Sequence, residues 1–169
     1  MTLGVLAAVS AAVFFGAAVY VLFVEHAARG ELDDQTALAE WKPAYKRGAI
    51  MQGGIALLTA GLGIAAWLQF DHPAFLIGAI LAALPWPWTL FVIRPTNDQL
   101  LALPMEQAGM SSRHLLQKWG RLHSVRTLLG GLATISFVIA LMSGPSIKPS
   151  ADFKKFLGER GSFYPQQAK

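Results

Sequence analysis

The sequence contains no cysteine and few charged residues, and both absences narrow the possible functions. Without cysteine the chain can form no disulfide, thiolate metal ligand or cysteine nucleophile. Only 14% of the 169 residues are charged, whereas 54% are hydrophobic, and the mean hydropathy is +0.44. This balance is too apolar for an ordinary soluble domain, so the composition indicates a membrane protein.

Four stretches lack Asp, Glu, Lys, Arg and His altogether, and each is long enough to cross a bilayer as a helix. They are residues 2–24, 48–70, 73–93 and 127–147. We therefore predict an all-α, membrane-embedded four-helix bundle over residues 1–147, followed by a polar C-terminal tail over residues 148–169. The first stretch has no basic segment before it, which favours a retained helix over a signal peptide. Pro85 and Pro87 predict a kink in the third helix.

Four spans place the first loop, residues 25–47, and the third loop, residues 94–126, at the same membrane face. These two loops hold nine of the 14 Lys and Arg residues. The positive-inside rule then places both loops in the cytoplasm, with a bacterial inner (plasma) membrane as the expected location. The net charge is +4. Because the basic residues flank the spans, we expect them to contact membrane lipids and not nucleic acid.

The most unusual segment is "WGRLHSVRT", residues 119–127, at the start of the fourth span. On a helix, Trp119, His123 and Arg126 are spaced i, i+4 and i+7, so they share one stripe. That stripe offers an aromatic surface, an imidazole that titrates near neutral pH and a permanent cation. Ionisable groups at membrane depth generally mark a functional site.

The end of the first span, "FVEHAAR", carries a second polar group at the same face. Glu25 and Arg29 are spaced i, i+4, which predicts an ion pair. His26 lies beside them, so two of the four histidines of the chain fall at neighbouring helix ends.

Two more segments reach this face, "WKPAYKRGAIMQGG" before the second span and "RPTNDQL" after the third. Trp41, Tyr45 and Gln52 lie near one helical stripe, although Trp and Tyr are also expected as an aromatic belt. Pro95 is predicted to end the third helix. Asn97 then either caps the next helix or donates its amide to a substrate oxygen.

Two further features of the spans are the tryptophans of the third and the small residues of the second. Trp86 and Trp88, in "LPWPW", are either interfacial anchors or the wall of a pocket opened by the kink. The small residues of the second span, among them Gly53, Gly54 and Gly63, are predicted to allow close helix packing.

In this order, "FVEHAAR", "WKPAYKRG", "RPTNDQL" and "WGRLHSVRT" resemble the small integral membrane family that includes the fungal anthrone oxygenases. The resemblance covers about residues 1–142, and its most specific parts are "PTN..L" and "W...H..R". It implies a four-helix membrane protein. For some members it also implies oxidation of an anthrone to an anthraquinone by molecular oxygen, without a bound redox cofactor.

This chemistry assigns a role to each polar and aromatic residue of the face. A small, flat aromatic substrate would stack on Trp41, Tyr45 and Trp119. His123 would remove a proton as general base, and Arg126 and Asn97 would stabilise the oxyanion. His26 would return a proton to the peroxide. Arg29 and Gln52 complete the predicted substrate-binding set.

Two other interpretations compete with the oxygenase. Glu25, His26 and His123 are candidate ligands of iron or copper, and the two histidines are candidate haem ligands, although no motif such as HExxH is present. Alternatively, the cluster binds a lipid headgroup or a partner protein in a non-catalytic membrane subunit. The sequence predicts no particular oligomeric state.

Overall fold

The computed structural model describes residues 1–144, and four long helices make up most of this part of the chain. Helix α1 covers Thr2–Gly30, α2 covers Asp34–Phe70, α3 covers Pro73–Ala102 and α4 covers Met110–Met142. A short 3-10 turn, Met105–Gln107, connects α3 to α4. No strand occurs between residues 1 and 144. Each helix is long and apolar enough to span a membrane, which confirms the all-α, membrane-embedded bundle.

The helices form an up-and-down bundle in which α1 and α3 each pack between α2 and α4. The tightest connection is the two-residue turn between α2 and α3, where Asp71 takes a left-handed conformation (φ 54°). His72 accepts a hydrogen bond from the Ala74 backbone N–H, and Pro73 occupies the first turn of α3, where its missing N–H costs nothing. The α1–α2 and α3–α4 connections therefore lie together at the opposite end, here called the loop end.

At the loop end the helices continue well beyond the uncharged stretches. Helix α2 begins at Asp34, where Asp33 caps it by accepting the backbone N–H groups of Gln35 and Thr36, each at 3.0 Å. Helix α4 begins at Met110, so "WGRLHSVRT" lies within a continuous helix. The polar and aromatic residues of the loop end are thus held on rigid helices.

Helix α3 is kinked near its middle, as predicted. The regular helix ends at Ala83, a single turn follows at Pro85–Trp88, and a wider turn with i to i+5 hydrogen bonding spans Thr89–Ile93. The prediction that Pro95 ends the helix is wrong, because the chain stays helical to Ala102. We attribute this to the wider turn just before Pro95, which accommodates a residue that has no N–H to donate.

The end of the bundle away from the loop end is closely packed around Phe137. A Cβ placed on Gly63 would lie 2.7 Å from the Phe137 ring, and one on Gly78 would lie equally close. Gly63 is therefore needed for helix packing, as predicted. For Gly54 the expectation is wrong, since a Cβ there would have nothing within 4 Å.

The predicted C-terminal tail, residues 148–169, lies outside the described residues.

Candidate functional site

A cavity of about 350 Å³ lies at the loop end, between α1, α2 and α4. Its volume is within the roughly 300–1,000 Å³ typical of small-molecule sites. Apart from Arg126, nine of the lining residues carry aromatic or polar side chains: Tyr20, Glu25, Arg29, Trp41, Tyr45, Arg47, Gln52, Trp119 and His123. Arg126 completes the charged wall.

Small residues and a widened turn make room for this cavity. Helix α1 carries a turn with i to i+5 hydrogen bonding at Val21–Glu25, which expands the helix beside the site. Opposite it, Ala44, Gly48 and Ala49 of α2 project little or no side chain. Tyr20 of α1 and Met51 of α2 are exposed lining residues, so they mark a mouth between these two helices.

Aromatic rings form a connected wall. The rings of Trp41 and Tyr45 are stacked, with centroids 4.9 Å apart and an interplanar angle of 8°. Trp119 meets Trp41 edge-on at 5.9 Å and stacks on His123 at 5.0 Å. Because Trp41 and Trp119 are buried, these contacts hold the imidazole of His123 in a fixed orientation.

His123 is buried without a normal hydrogen bond. Only 2% of the residue is exposed, and neither ring nitrogen has a partner of normal geometry in residues 1–144. The Ala18 carbonyl interacts with the imidazole, although it falls short of that geometry. Buried polar groups are nearly always hydrogen-bonded in native proteins, so an imidazole in the cavity wall without a normal hydrogen bond indicates a ligand or water position.

Arg126 is another buried polar group of the cavity wall without full compensation. Its Nη2 donates to Gln52 Oε1 at 3.1 Å, and its Nε has no partner among the described residues. No carboxylate of residues 1–144 forms an ion pair with it. A buried cation whose contact is a neutral amide leaves a net positive charge in the cavity wall.

Arg29 also lines the cavity, but its charge is neutralised. It forms ion pairs with Glu25, as the i, i+4 spacing predicted, and with Glu40 of α2. The pairing with Glu40 had no signal in the sequence, because it depends on how α1 and α2 meet. These ion pairs join α1 to α2 beside the cavity and leave Arg126 as the buried uncompensated charge of its wall, whereas Arg47 lies at an exposed position of the lining.

His26 lies outside the cavity wall. It packs against Trp119, with ring centroids 5.8 Å apart, and lines a separate space of about 80 Å³ with Arg29 and Arg113. Gly120 makes this possible, because a Cβ there would collide with the His26 ring. The described arrangement therefore gives His26 no direct contact with a ligand in the main cavity.

Asn97 also lies outside the wall, behind Tyr45. Its Nδ2 donates to Tyr45 Oη at 3.0 Å, and the residue is fully buried. It does not cap a helix, so the capping alternative is wrong, since the helix passes through this position without a break. Asn97 can act on a bound molecule only through Tyr45.

The two tryptophans of the kink have different surroundings. Trp86 is partly exposed, donates to the Gly53 carbonyl at 3.1 Å and lines a second, smaller cavity between α2 and α3. Trp88 donates to the Leu122 carbonyl at 3.1 Å and packs beside the aromatic cluster. Both indoles thus tie the kinked helix to its neighbours.

Within residues 1–144, no three His, Asp or Glu side chains are grouped closely enough to hold a metal ion. Glu25, the third residue of the predicted metal set, is instead engaged by Arg29.

Comparison with known proteins assigns this arrangement to a family. The family model described as anthrone oxygenase matches residues 41–136, more than half of the chain. The chain belongs to the anthrone oxygenase family. No curated protein and no solved structure matches it. The match includes Trp41, Tyr45 and Gln52 of α2 and the whole stripe from Trp119 to Arg126, whereas His26 and Arg29 precede it.

Proposed function

We propose that this membrane protein is an oxygenase that binds a flat, acidic aromatic molecule, such as a hydroxylated anthrone, and oxidises it with molecular oxygen. The observation that carries the proposal is the uncompensated guanidinium of Arg126 beside the unpartnered imidazole of His123 in one cavity. A pocket with this pair suits a molecule that loses a proton there and remains as an anion.

The shape and lining of the cavity support an aromatic substrate. Trp41, Tyr45 and Trp119 offer large apolar surfaces that lose little conformational entropy on binding, because their rings already contact one another. The volume of about 350 Å³ suits a small molecule and not a lipid with two acyl chains.

Charge compensation supports the acidic character of the substrate. A buried cation is costly unless an opposite charge or several hydrogen bonds accompany it. An anionic substrate would supply both to Arg126. The same guanidinium would then stabilise negative charge as it develops on oxygen during the reaction.

His123 acts as general base in this proposal. Its imidazole removes a proton from the methylene carbon of the anthrone, and the electron pair of that C–H bond delocalises into the ring system as an enolate. Dioxygen then adds to this carbon, forming a C–O bond and a peroxide anion, which is protonated. Loss of water from the peroxide leaves the quinone carbonyl. One dioxygen is consumed and one water is released per substrate, and the substrate carbon loses four electrons to dioxygen.

The other groups position this reaction. Gln52 orients Arg126, and Asn97 holds the Tyr45 ring through its hydroxyl. His26, which lies outside the wall, contacts Trp119 and is placed to influence the site through that ring. These are positioning roles and not catalytic ones.

The proposal requires no resident cofactor, since an electron-rich enolate reacts with dioxygen directly. It also keeps the expectation that the loop end faces the cytoplasm of a bacterial plasma membrane, based on the basic residues flanking the spans. The mouth between α1 and α2 then takes substrate from the lipid phase near the cytoplasmic surface.

The experiment is oxygen uptake by the detergent-purified protein supplied with a dihydroxyanthrone, with quinone absorbance recorded in parallel. Anthrones oxidise slowly without protein, so a protein-free sample and a His123→Ala sample set the background. We expect uptake well above both backgrounds, with one dioxygen consumed per quinone formed.

Metal analysis and an absorption spectrum of the same sample separate the alternatives. Activity in a colourless, metal-free sample supports the proposal. A Soret band or stoichiometric iron or copper would replace it with the redox alternative. No uptake above background, together with lipid or protein copurifying with the chain, would favour the non-catalytic subunit.

A further inference from the structure

The second cavity, between α2 and α3, lies directly behind the first. Its volume is about 120 Å³, and its wall is formed by Gly53 and Ala56 of α2 together with Pro85, Trp86, Thr89 and Leu90 at the kink of α3. Arg126 and Ala49 line both this cavity and the main one. The two cavities therefore meet at the guanidinium proposed to stabilise oxyanions.

This smaller cavity suits a small apolar molecule. Its volume is well below the roughly 300 Å³ at which small-molecule sites begin, so a three-ring aromatic does not fit. Apolar cavities of roughly 150 Å³ stay dry and take up xenon or benzene. A space of this size with a mostly apolar lining has room for a diatomic gas.

Its outer side faces the membrane. Trp86 and Leu90 are partly exposed on the surface of α3, within an uncharged stretch that spans the hydrocarbon core. Dioxygen is an apolar gas that concentrates in hydrocarbon relative to water, for the same reason that apolar groups leave water. Pro85 lines the cavity at this depth, so the cavity lies between the exposed surface of α3 at Trp86 and Leu90 and the side chain of Arg126.

We propose that the cavity between α2 and α3 is the chamber through which dioxygen reaches the substrate. This inference rests on the proposed oxygenase function, because the reaction needs dioxygen beside a substrate that fills the main cavity. The substrate and the gas then approach Arg126 from opposite sides of α2. The separate routes allow dioxygen to arrive after the aromatic molecule has closed the main cavity.

The test fills the small cavity and leaves the large one unchanged. Gly53 lines the small cavity alone, and a Cβ there would rest 3.4 Å from the Trp86 ring, an ordinary contact. The matched control is Gly54, where a Cβ would have nothing within 4 Å. Gly53→Val and Gly54→Val thus add the same side chain at consecutive positions of one helix, and Gly53→Ala serves if Gly53→Val does not fold.

Initial rates are measured against dioxygen concentration at saturating dihydroxyanthrone. We expect Gly53→Val to raise the KM for dioxygen about threefold or more, with the KM for the anthrone and kcat at saturating dioxygen near wild type. Gly54→Val should match the wild type in all three constants. An unchanged KM for dioxygen in Gly53→Val, or equal changes in both KM values, overturns the inference.

Xenon-pressurised crystals give a readout that does not depend on turnover. We expect a xenon atom between α2 and α3 in the wild type and in Gly54→Val, and none in Gly53→Val. Absence of xenon from this cavity in the wild type would overturn the proposal that the cavity admits dioxygen. Xenon in the chamber of a protein that consumes no dioxygen with the anthrone would show that the proposed function, and not the cavity, had failed.

Discussion

The two ends of the bundle use the same four helices in opposite ways. At the end opposite the loop end, here called the closed end, Gly63 and Gly78 let the helices approach until both backbones pack against Phe137. Between Ala11, Thr59 and Ala133, near the middle, there is no room for a water molecule. At the loop end, Trp41 and Trp119 hold the helices apart, and a cavity of about 350 Å³ remains.

The comparison shows that side-chain size and local helix geometry decide where a helical bundle is open. Small residues close the bundle where a neighbouring helix packs onto them, because helices in lipid associate mainly through close packing. Where nothing packs onto them, as at Gly48 beside the cavity, they leave space. The wider turn at Val21–Glu25 borders the main cavity, and the one at Thr89–Ile93 borders the smaller cavity. Stability should therefore depend mainly on the closed end and activity on the loop end.

The largest effect on activity is expected for His123→Ala. Loss of a general base lowers kcat by about 100-fold to 10,000-fold, whereas the contacts of the closed end are untouched. Activity is measured as steady-state oxygen uptake, and stability as the unfolding temperature in detergent. His114→Ala, an exposed histidine on the same helix, is the control. Wild-type turnover in His123→Ala would remove His123 as the base.

Arg126→Met should separate activity from stability most clearly. We expect kcat to fall about 100-fold to 1,000-fold, as on losing an oxyanion-binding group. The unfolding temperature should not fall, because an uncompensated buried charge is replaced by an apolar chain of similar length. Arg121→Met, at an exposed position, should change neither. A large loss of stability in Arg126→Met would mean that the guanidinium has a structural role.

Gly63→Val is the converse change at the closed end. Its side chain would collide with Phe137 and Ala79, and overpacking of this kind costs about 1–3 kcal/mol. The unfolding temperature should fall, whereas kcat per folded molecule stays near wild type. Gly61→Val, where a Cβ meets nothing within 4 Å, is the matched control. Equal stability of the two variants would contradict the close packing at Gly63.

A smaller effect is expected for the hydrogen bond between Asn97 and Tyr45. Tyr45→Phe and Asn97→Ala should each raise the KM for the aromatic substrate a few-fold, the equivalent of about 0.5–1.5 kcal/mol, with little change in kcat. The double variant should behave like either single variant, because both remove one interaction. Additive effects would show that Asn97 does not act through Tyr45.

The smallest effect concerns the cap of α2. Hydrogen bonds from the side chain and backbone of Thr36 lower the pKa of Asp33 from its ordinary value of 3.8. The stability that the lowered pKa adds to the folded protein is present above pH 3.8, and it is lost as the pH falls through the pKa that Asp33 has in the folded protein. Asp33→Asn keeps a capping side chain that does not titrate, so its unfolding temperature should fall less than that of the wild type on acidification below pH 3.8. Parallel acid melting curves would contradict this assignment.

The sequence by itself determined the membrane class, the four helices and the kink in α3. These follow from local properties, namely the length of uncharged stretches and the missing N–H of proline. The stripe from Trp119 to Arg126 was equally visible, since one helix with a fixed repeat carries it. The error at Pro95 arose because a widened turn depends on surroundings that the local sequence does not reveal.

Tertiary structure decided which of these residues share a cavity and which lie behind it. Asn97 and His26 are residue types that are common in functional sites, yet both lie outside the wall. Asn97 lies behind Tyr45, and His26 packs against Gly120. The neutralisation of Arg29 by Glu40 and the isolation of Arg126 arise from contacts between different helices. Such contacts depend on how helices meet in space, which a linear pattern of residues does not encode.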